Sequence, residues 1–253
     1  MTVQVATLKA RAEKLRALHT GELLVLPNVW DAGSAAVVAE AGFPAVATAS
    51  AAVSATLGHP DGERAPWQEM FAAAGRISRA VEVPVTVDAE AGYGMRPREL
   101  VDRLLDTGAV GCNLEDTDHR QGGLADAGAQ AQWLADVRAA ADDAGVPIVI
   151  NARVDTFLPV SKLTGQARVT EAVRRGRLYL EAGADCVYPI GVRDRDDIAA
   201  LVSGLPGPVN GNTGEGLDLA ALRELLVARV SYGPRFYRAA LADLKTAVEK
   251  LLV

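Results

Sequence analysis

The chain has 253 residues, 49% of them apolar and 23% charged, with a formal net charge of −6, which fits one large globular domain with a sizeable core. With no Lys/Arg cluster interleaved with aromatics and no apolar run of membrane-span length, nucleic acid and membrane are excluded as expected partners. Residues 1–19 carry scattered charges in a helix-like pattern and lack the apolar core of a signal peptide, so a cytoplasmic protein is expected. Cys112 and Cys186 each lie in a short apolar run, which predicts reduced core thiols and neither a disulfide framework nor a zinc site.

Along the chain, short apolar runs alternate with longer stretches in which Ala, Leu and charge recur at helical spacing. Strands are predicted at 23–29, 45–50, 83–88, 109–115, 147–153, 186–190, 208–211 and 228–232. Helices are predicted at 31–41, 66–80, 97–106, 130–143, 165–182, 195–203 and 218–226, with a last one at 234–251. Gly42, Gly108, Gly145 and Gly183 each follow a predicted helix, where a left-handed C-cap turns the chain into the next strand. Eight strand-helix units in one domain spanning 1–253 predict a closed (β/α)₈ barrel, with the N-terminal helix capping its floor. An open doubly wound sheet is the alternative, but Pro27-Asn28-Val29-Trp30-Asp31 after the first strand carries no glycine-rich phosphate fingerprint.

A barrel gathers its chemistry at the C-terminal strand ends. Those ends supply Trp30 and Asp31, Ser50, Asp88 and Glu90, Glu115 and Asp116, Asn151 and Arg153, Pro189, Asn210 and Asn212, and Tyr232. Asp88 and Glu90 stand two apart after the β-branched run Val83, Val85, Val87; continued strand geometry puts both on one side, as a shelf of hard oxygen donors for Mg²⁺ or Mn²⁺. The same pair also reads as an ordinary strand exit with solvated acids. A metal beside the Arg153 guanidinium makes a receptor for a carboxylate or 2-oxo acid.

Four segments extend this pattern: Thr48 to Asp61, Asp88-Ala89-Glu90-Ala91-Gly92-Tyr93-Gly94, Asn113-Leu114-Glu115-Asp116, and Asn151-Ala152-Arg153. In this order, at predicted strand ends, they resemble the isocitrate lyase and phosphoenolpyruvate mutase superfamily over nearly the whole chain. The resemblance implies a Mg²⁺ site with Asp88 as direct ligand and Glu90 and Glu115 holding metal-bound water or completing the shell. It places Asp61 near the metal. Ser50 and the following N–H groups, Ala51 among them, are implied to bind a substrate carboxylate or developing oxyanion. Arg153 clamps the substrate in this scheme and Tyr93 faces the same cavity. Related proteins exchange the last helix between subunits, which points to a homodimer or homotetramer; Leu241, Leu244, Val248 and Leu251 on that helix could equally pack within one chain.

The departures matter as much. Family members that cleave isocitrate or methylisocitrate carry a gate-loop cysteine, whereas residues 117–126 contain none, and Cys112 falls inside the preceding strand. Phosphonate-handling members use a histidine after the sixth strand, where this chain reads Val187-Tyr188-Pro189-Ile190-Gly191. The chain is most similar to the Cys-less branch. The expected activity is therefore a Mg²⁺-dependent lyase or decarboxylase acting on a small 2-oxo or 2-hydroxy dicarboxylate through a metal-stabilised enolate. Arg153, Tyr93 and His119 are its candidate catalytic residues. A phosphonopyruvate-type mutase or hydrolase and a non-catalytic 2-oxo acid binding protein are the alternatives. His119, flanked by possible hinges at Gly122 and Gly123, reads either as acid/base or as a solvated loop histidine. His19 reads as structural; residues 210–216 read as a phosphate-binding loop or a flexible turn.

Overall fold

Every pairing between strands is parallel, and each crossover is a helix. The computed structural model describes residues 5–252; residues 1–4 of the expected N-terminal helical pattern, and Val253, lie outside them. In chain order the elements are α1 (Val5–Ala17), β1 (Leu24–Leu26), β2 (Asn28–Val29), α2 (Ala32–Glu40), β3 (Val46–Thr48), α3 (Ser50–Thr56), α4 (Trp67–Ala80) and β4 (Val85–Asp88). They continue with α5 (Pro97–Asp106), β5 (Gly111–Glu115), α6 (Ala127–Asp143), β6 (Val149–Val154), α7 (Gln166–Glu181) and β7 (Cys186–Pro189). The chain closes with α8 (Arg195–Gly204), β8 (Asn210–Asn212), α9 (Leu219–Glu224), β9 (Arg229–Ser231) and α10 (Arg235–Glu249).

The expected strand 23–29 is split at Pro27, which has no N–H to give a ladder. Its first half, β1, pairs with β9, and its second half, β2, pairs with β3. From there the sheet runs β3-β4-β5-β6-β7, and a parallel bridge between Val187 and Val209 carries it to β8, which pairs with β9. The ring closes as the expected (β/α)₈ barrel.

Alternation along the strands sorts their side chains between the barrel interior and the helix layer. Val46, Val85, Leu114, Ile150, Val187 and Val230 are buried on the helix-facing side, while a polar layer of Asn113, Asn151 and Asn210 crosses the interior, Asn151 donating to Asn113 at 2.8 Å and to Asn210 at 3.2 Å. The floor is plugged by α1, whose buried stripe Leu8, Ala12 and Leu15 has the i, i+4, i+7 spacing of an amphipathic helix. A side chain at Gly111, at the start of β5, would come within 2.8 Å of Leu15 Cδ2, so glycine there lets the helix seat. Burying each such leucine contributes about 2 kcal/mol.

The four glycine caps adopt the expected left-handed backbone, with φ of 91°, 85°, 71° and 97° at Gly42, Gly108, Gly145 and Gly183. Both cysteines are fully buried and free, and burial pushes each thiol up to about 12. Among the described residues no helix is long and apolar enough to cross a membrane. Two local expectations change. Ser50 does not end a strand; it begins α3, a short helix in the small-residue run after β3. Glu90 lies beyond β4, which stops at Asp88, so the strand alternation invoked for the pair does not reach it.

Candidate active site

A cavity of about 640 Å³ opens at the C-terminal ends of the strands. Of the expected site residues, Ser50, Ala51, Asp61, Asp88 and Arg153 line it, while Glu90, Tyr93, Glu115 and His119 stand behind its wall.

Asp88 ends β4 and is fixed from two sides. Its N–H donates to Thr48 Oγ1 at 2.8 Å, and its Oδ2 accepts the Ser50 N–H at 3.0 Å. That second bond uses a donor the sequence reserved for substrate. The remaining oxygen, Oδ1, is buried and has no protein partner. A carboxylate oxygen left in this state loses solvation without compensation unless an external group meets it.

Glu90 turns away from Asp88. Its φ of 50° is left-handed, and its Oε1 accepts the N–H groups of Gly62 and Glu63 at 2.9 and 2.7 Å, while Tyr93 donates its hydroxyl to Oε2. Burial raises the Glu90 carboxyl, and the bonds from Tyr93 and Glu63 oppose the rise. Burial also raises the Tyr93 phenol, with the Glu90 charge adding to the effect. Glu115 faces Arg153 through one oxygen and His119 Nε2 through the other, the latter at 2.6 Å. Burial lifts the Glu115 carboxyl, while the His119 bond and the Arg153 charge pull it down.

Among the described residues no group of three His, Cys, Asp or Glu side chains is disposed to hold a metal by itself. Mg²⁺ does not require one, since it keeps several waters and commonly takes one or two carboxylates together with substrate oxygens. The orphaned Asp88 oxygen, with Asp61 on the same cavity wall, therefore fits a hydrated Mg²⁺ or Mn²⁺.

Arg153, near the end of β6, is held by Asp155, which the sequence reading missed. Its Nε donates to Asp155 Oδ1 at 2.7 Å and its Nη2 to Oδ2 at 3.0 Å. Burial opposes the charge on Arg153, but Asp155, Glu115 and Asp88 around it keep the guanidinium protonated. Asp155 also accepts from Thr117, and its N–H donates to Asp116 at 2.9 Å. Asp116 in turn accepts from Arg175 and Tyr179 at 3.1 and 2.8 Å, so a buried polar network supports the arginine.

The loop 117–124 is a small hairpin closed by the Thr117–Leu124 bridge and the Asp118 N–H to Gly123 carbonyl bond. Arg120 lies over Gly94, where a built Cβ would meet its Nη2 at 2.0 Å. His119 points to Glu115, and Tyr93 packs edge-on against Phe71. Neither expected acid/base group lines the cavity. Instead its wall carries Asn28, Asn113 and a hydroxyl, Tyr188, bonded to Asn212 at 3.1 Å. Asn212, Thr213 and Gly214 bring the start of the 210–216 loop to the wall, and Arg193, Arg235 and Arg238 stand there too. His59 lies 3.8 Å from Glu69. Trp30 stacks edge-on with Tyr237, and His19 is buried near the floor, its Nδ1 2.9 Å from the Leu15 carbonyl.

A parallel barrel with an acid and a guanidinium sharing the cavity at its strand ends places its polar groups where barrel enzymes gather their chemistry. The comparisons specify the family: the phosphoenolpyruvate phosphomutase family model matches residues 15–252, and the chain belongs to that family, within the PEP mutase/isocitrate lyase superfamily. An oxaloacetate decarboxylase from Bradyrhizobium sp. (strain ORS 278) is 33% identical over 242 residues, covering 90% of this chain and 81% of the relative. A Burkholderia cenocepacia J2315 structure described as a "putative phosphonomutase" is 42% identical with TM-score 0.89, covering 96% of this chain and 99% of the other. The crystal structure of a 2,3-dimethylmalate lyase is 26% identical with TM-score 0.84, covering 95% of this chain and 85% of the other.

Proposed function

We propose that the protein is a Mg²⁺-dependent carbon-carbon lyase acting on a small 2-oxo or 2-hydroxy dicarboxylate, with decarboxylation of an oxaloacetate-like acid as its most direct reaction. The observation that carries this reading is the pairing, in one cavity, of the unpartnered Asp88 oxygen with the Arg153 guanidinium, while no histidine, lysine or cysteine lines the wall. The oxaloacetate decarboxylase relatives support it.

In the proposed site Asp88 would hold Mg²⁺, with Asp61 on the same wall, while Glu90 and Glu115, engaged by Gly62, Glu63 and Tyr93 and by Arg153 and His119, would support the site from behind that wall. When bound, Mg²⁺ supplies a Lewis acid for the 2-oxo group. Arg153, locked by Asp155, orients the substrate carboxylate so that the scissile bond is held in one geometry. Ser50 and Ala51, at the start of α3, lie beside that carboxylate. In decarboxylation the bond to the leaving carboxylate breaks, carbon dioxide departs, and the electron pair stays on the adjacent carbon as an enolate, which then takes a proton. Bond cleavage in this case needs no side-chain base, which agrees with a wall free of histidine and lysine. Tyr188 and Tyr232 are the phenols on that wall; burial pushes Tyr188 up to about 12, so it is protonated and able to donate.

The second reading, phosphorus-carbon chemistry, is supported by the 42% identical neighbour. Incubation with Mg²⁺ and oxaloacetate, dimethylmalate, 2-methylisocitrate or phosphonopyruvate separates the two: release of pyruvate or another carbon-carbon cleavage product supports the lyase, and release of phosphate the alternative. Tight binding without turnover of any of the four identifies a non-catalytic 2-oxo acid binder. The reading also includes assembly. No residue of α10 is buried and its apolar side chains face outward, so a second copy covers that helix in a homo-oligomer.

A further inference from the structure

We propose that Arg193, Arg235 and Arg238 form a second anion subsite at the mouth of the cavity, which binds the distal charged group of the substrate and selects dianions over monocarboxylates. The inference rests on the 2-oxo acid reading of the inner site. All three side chains belong to the cavity wall, although Arg193 follows β7 and the other two lie on the first turn of α10. Only the fold brings them together.

Charge accounting carries the argument. Arg153, the cation of the inner site, is already faced by Asp155 and Glu115. Its positive charge is therefore spent, and the inner end cannot neutralise a second substrate anion. Among the described residues none of the three mouth arginines forms an ion pair, a state they share with exposed arginines such as Arg64, Arg76 and Arg96; what sets them apart is that all three stand at one opening of the cavity. Arg235 gives one bond, to Thr213 Oγ1 at 2.9 Å. In a chain of net charge −6, three unpaired guanidinium groups at one opening are a local reversal of sign.

Their position on α10 is unfavourable for the helix itself. Cations in a first turn oppose the macrodipole, and this first turn contains no acid and has no side-chain cap. Helix stability does not account for arginine at 235 and 238. An anion held between them and Arg193 does, because guanidinium forks match carboxylate and phosphonate oxygens.

The test is calorimetric titration, with Mg²⁺ present, of pyruvate, 3,3-difluorooxaloacetate and phosphonopyruvate into the full chain, the Arg193→Gln variant, and the Arg235→Gln/Arg238→Gln double variant. The three side chains are exposed, so the variants fold. The expected result is that the double variant binds the multiply charged ligands roughly 10- to 100-fold more weakly, that Arg193→Gln shows a smaller loss, and that pyruvate binding is unchanged in both. A lysine pair at 235 and 238 recovers part of the loss. The ligand that loses more identifies the distal group as carboxylate or phosphonate. Unchanged affinity for both multiply charged ligands, or equal weakening of pyruvate, overturns the subsite while leaving the inner site standing. If the unaltered protein binds none of the three, the 2-oxo acid reading fails and the subsite with it.

Discussion

Asp155 grips Arg153 in a two-point fork, Nε to Oδ1 at 2.7 Å and Nη2 to Oδ2 at 3.0 Å, so that the guanidinium plane is set before any substrate arrives. Asp155 is completely buried, and its role is to position the arginine. Asp155→Asn keeps the shape but gives up the charge and half of the fork. The expected outcome is a loss of roughly 100-fold in kcat/KM from misorientation and of about 3 kcal/mol in stability from a buried pair left incomplete. Steady-state kinetics together with urea unfolding checks both; a variant with unaltered kinetics refutes the positioning role.

His119→Ala tests the loop 117–124. Because the imidazole is turned to Glu115 behind the cavity wall, turnover is expected to stay within about threefold of the unaltered protein. A drop of two orders of magnitude would return His119 to the role of proton carrier that its place in the loop suggested.

How far the sequence revealed this site depended on whether a signal was local. The β-branched runs and glycine caps are local, and they located the barrel. The Asp88 and Glu90 spacing misled, because the strand ends at Asp88 and Glu90 enters a left-handed turn toward Gly62 and Glu63. The same two-residue spacing applied to Arg153 and Asp155 would have found the fork, which lies across the end of β6. α3 was missed because a run of Ala, Ser and Val has no apolar periodicity to read. The mouth arginines were invisible for a different reason: the loop after β7 and the start of α10 meet only once the ring closes.

His19 makes stability depend on pH. Buried among α1 and the barrel floor, with Arg229 and Arg16 near, its pKa falls from 6.5 to about 4, burial being the main cause. Between these values the unfolded chain binds a proton that the folded chain refuses, so stability is full above pH 6.5 and falls as the pH drops toward 4. The slope is about 1.4 kcal/mol per pH unit from this group. His19→Gln is expected to reduce the pH dependence of urea unfolding between pH 7 and pH 5; an identical slope in both proteins removes His19 as the cause.

The outward face of α10 predicts the assembly state. Leu241, Leu244 and Val248 are 46%, 57% and 46% exposed on a helix with no buried residue. Light scattering is expected to give a dimer or tetramer, and Leu244→Glu combined with Val248→Glu is expected to give a monomer. A monomeric unaltered protein contradicts the proposed interface.

The most direct measurement is Mg²⁺-dependent pyruvate release from oxaloacetate by the unaltered protein and by Asp88→Asn. The account predicts turnover that EDTA abolishes and Mg²⁺ restores, reduced by roughly 100-fold or more in Asp88→Asn while its melting transition stays cooperative. Full Mg²⁺-dependent turnover by a folded Asp88→Asn protein would contradict it.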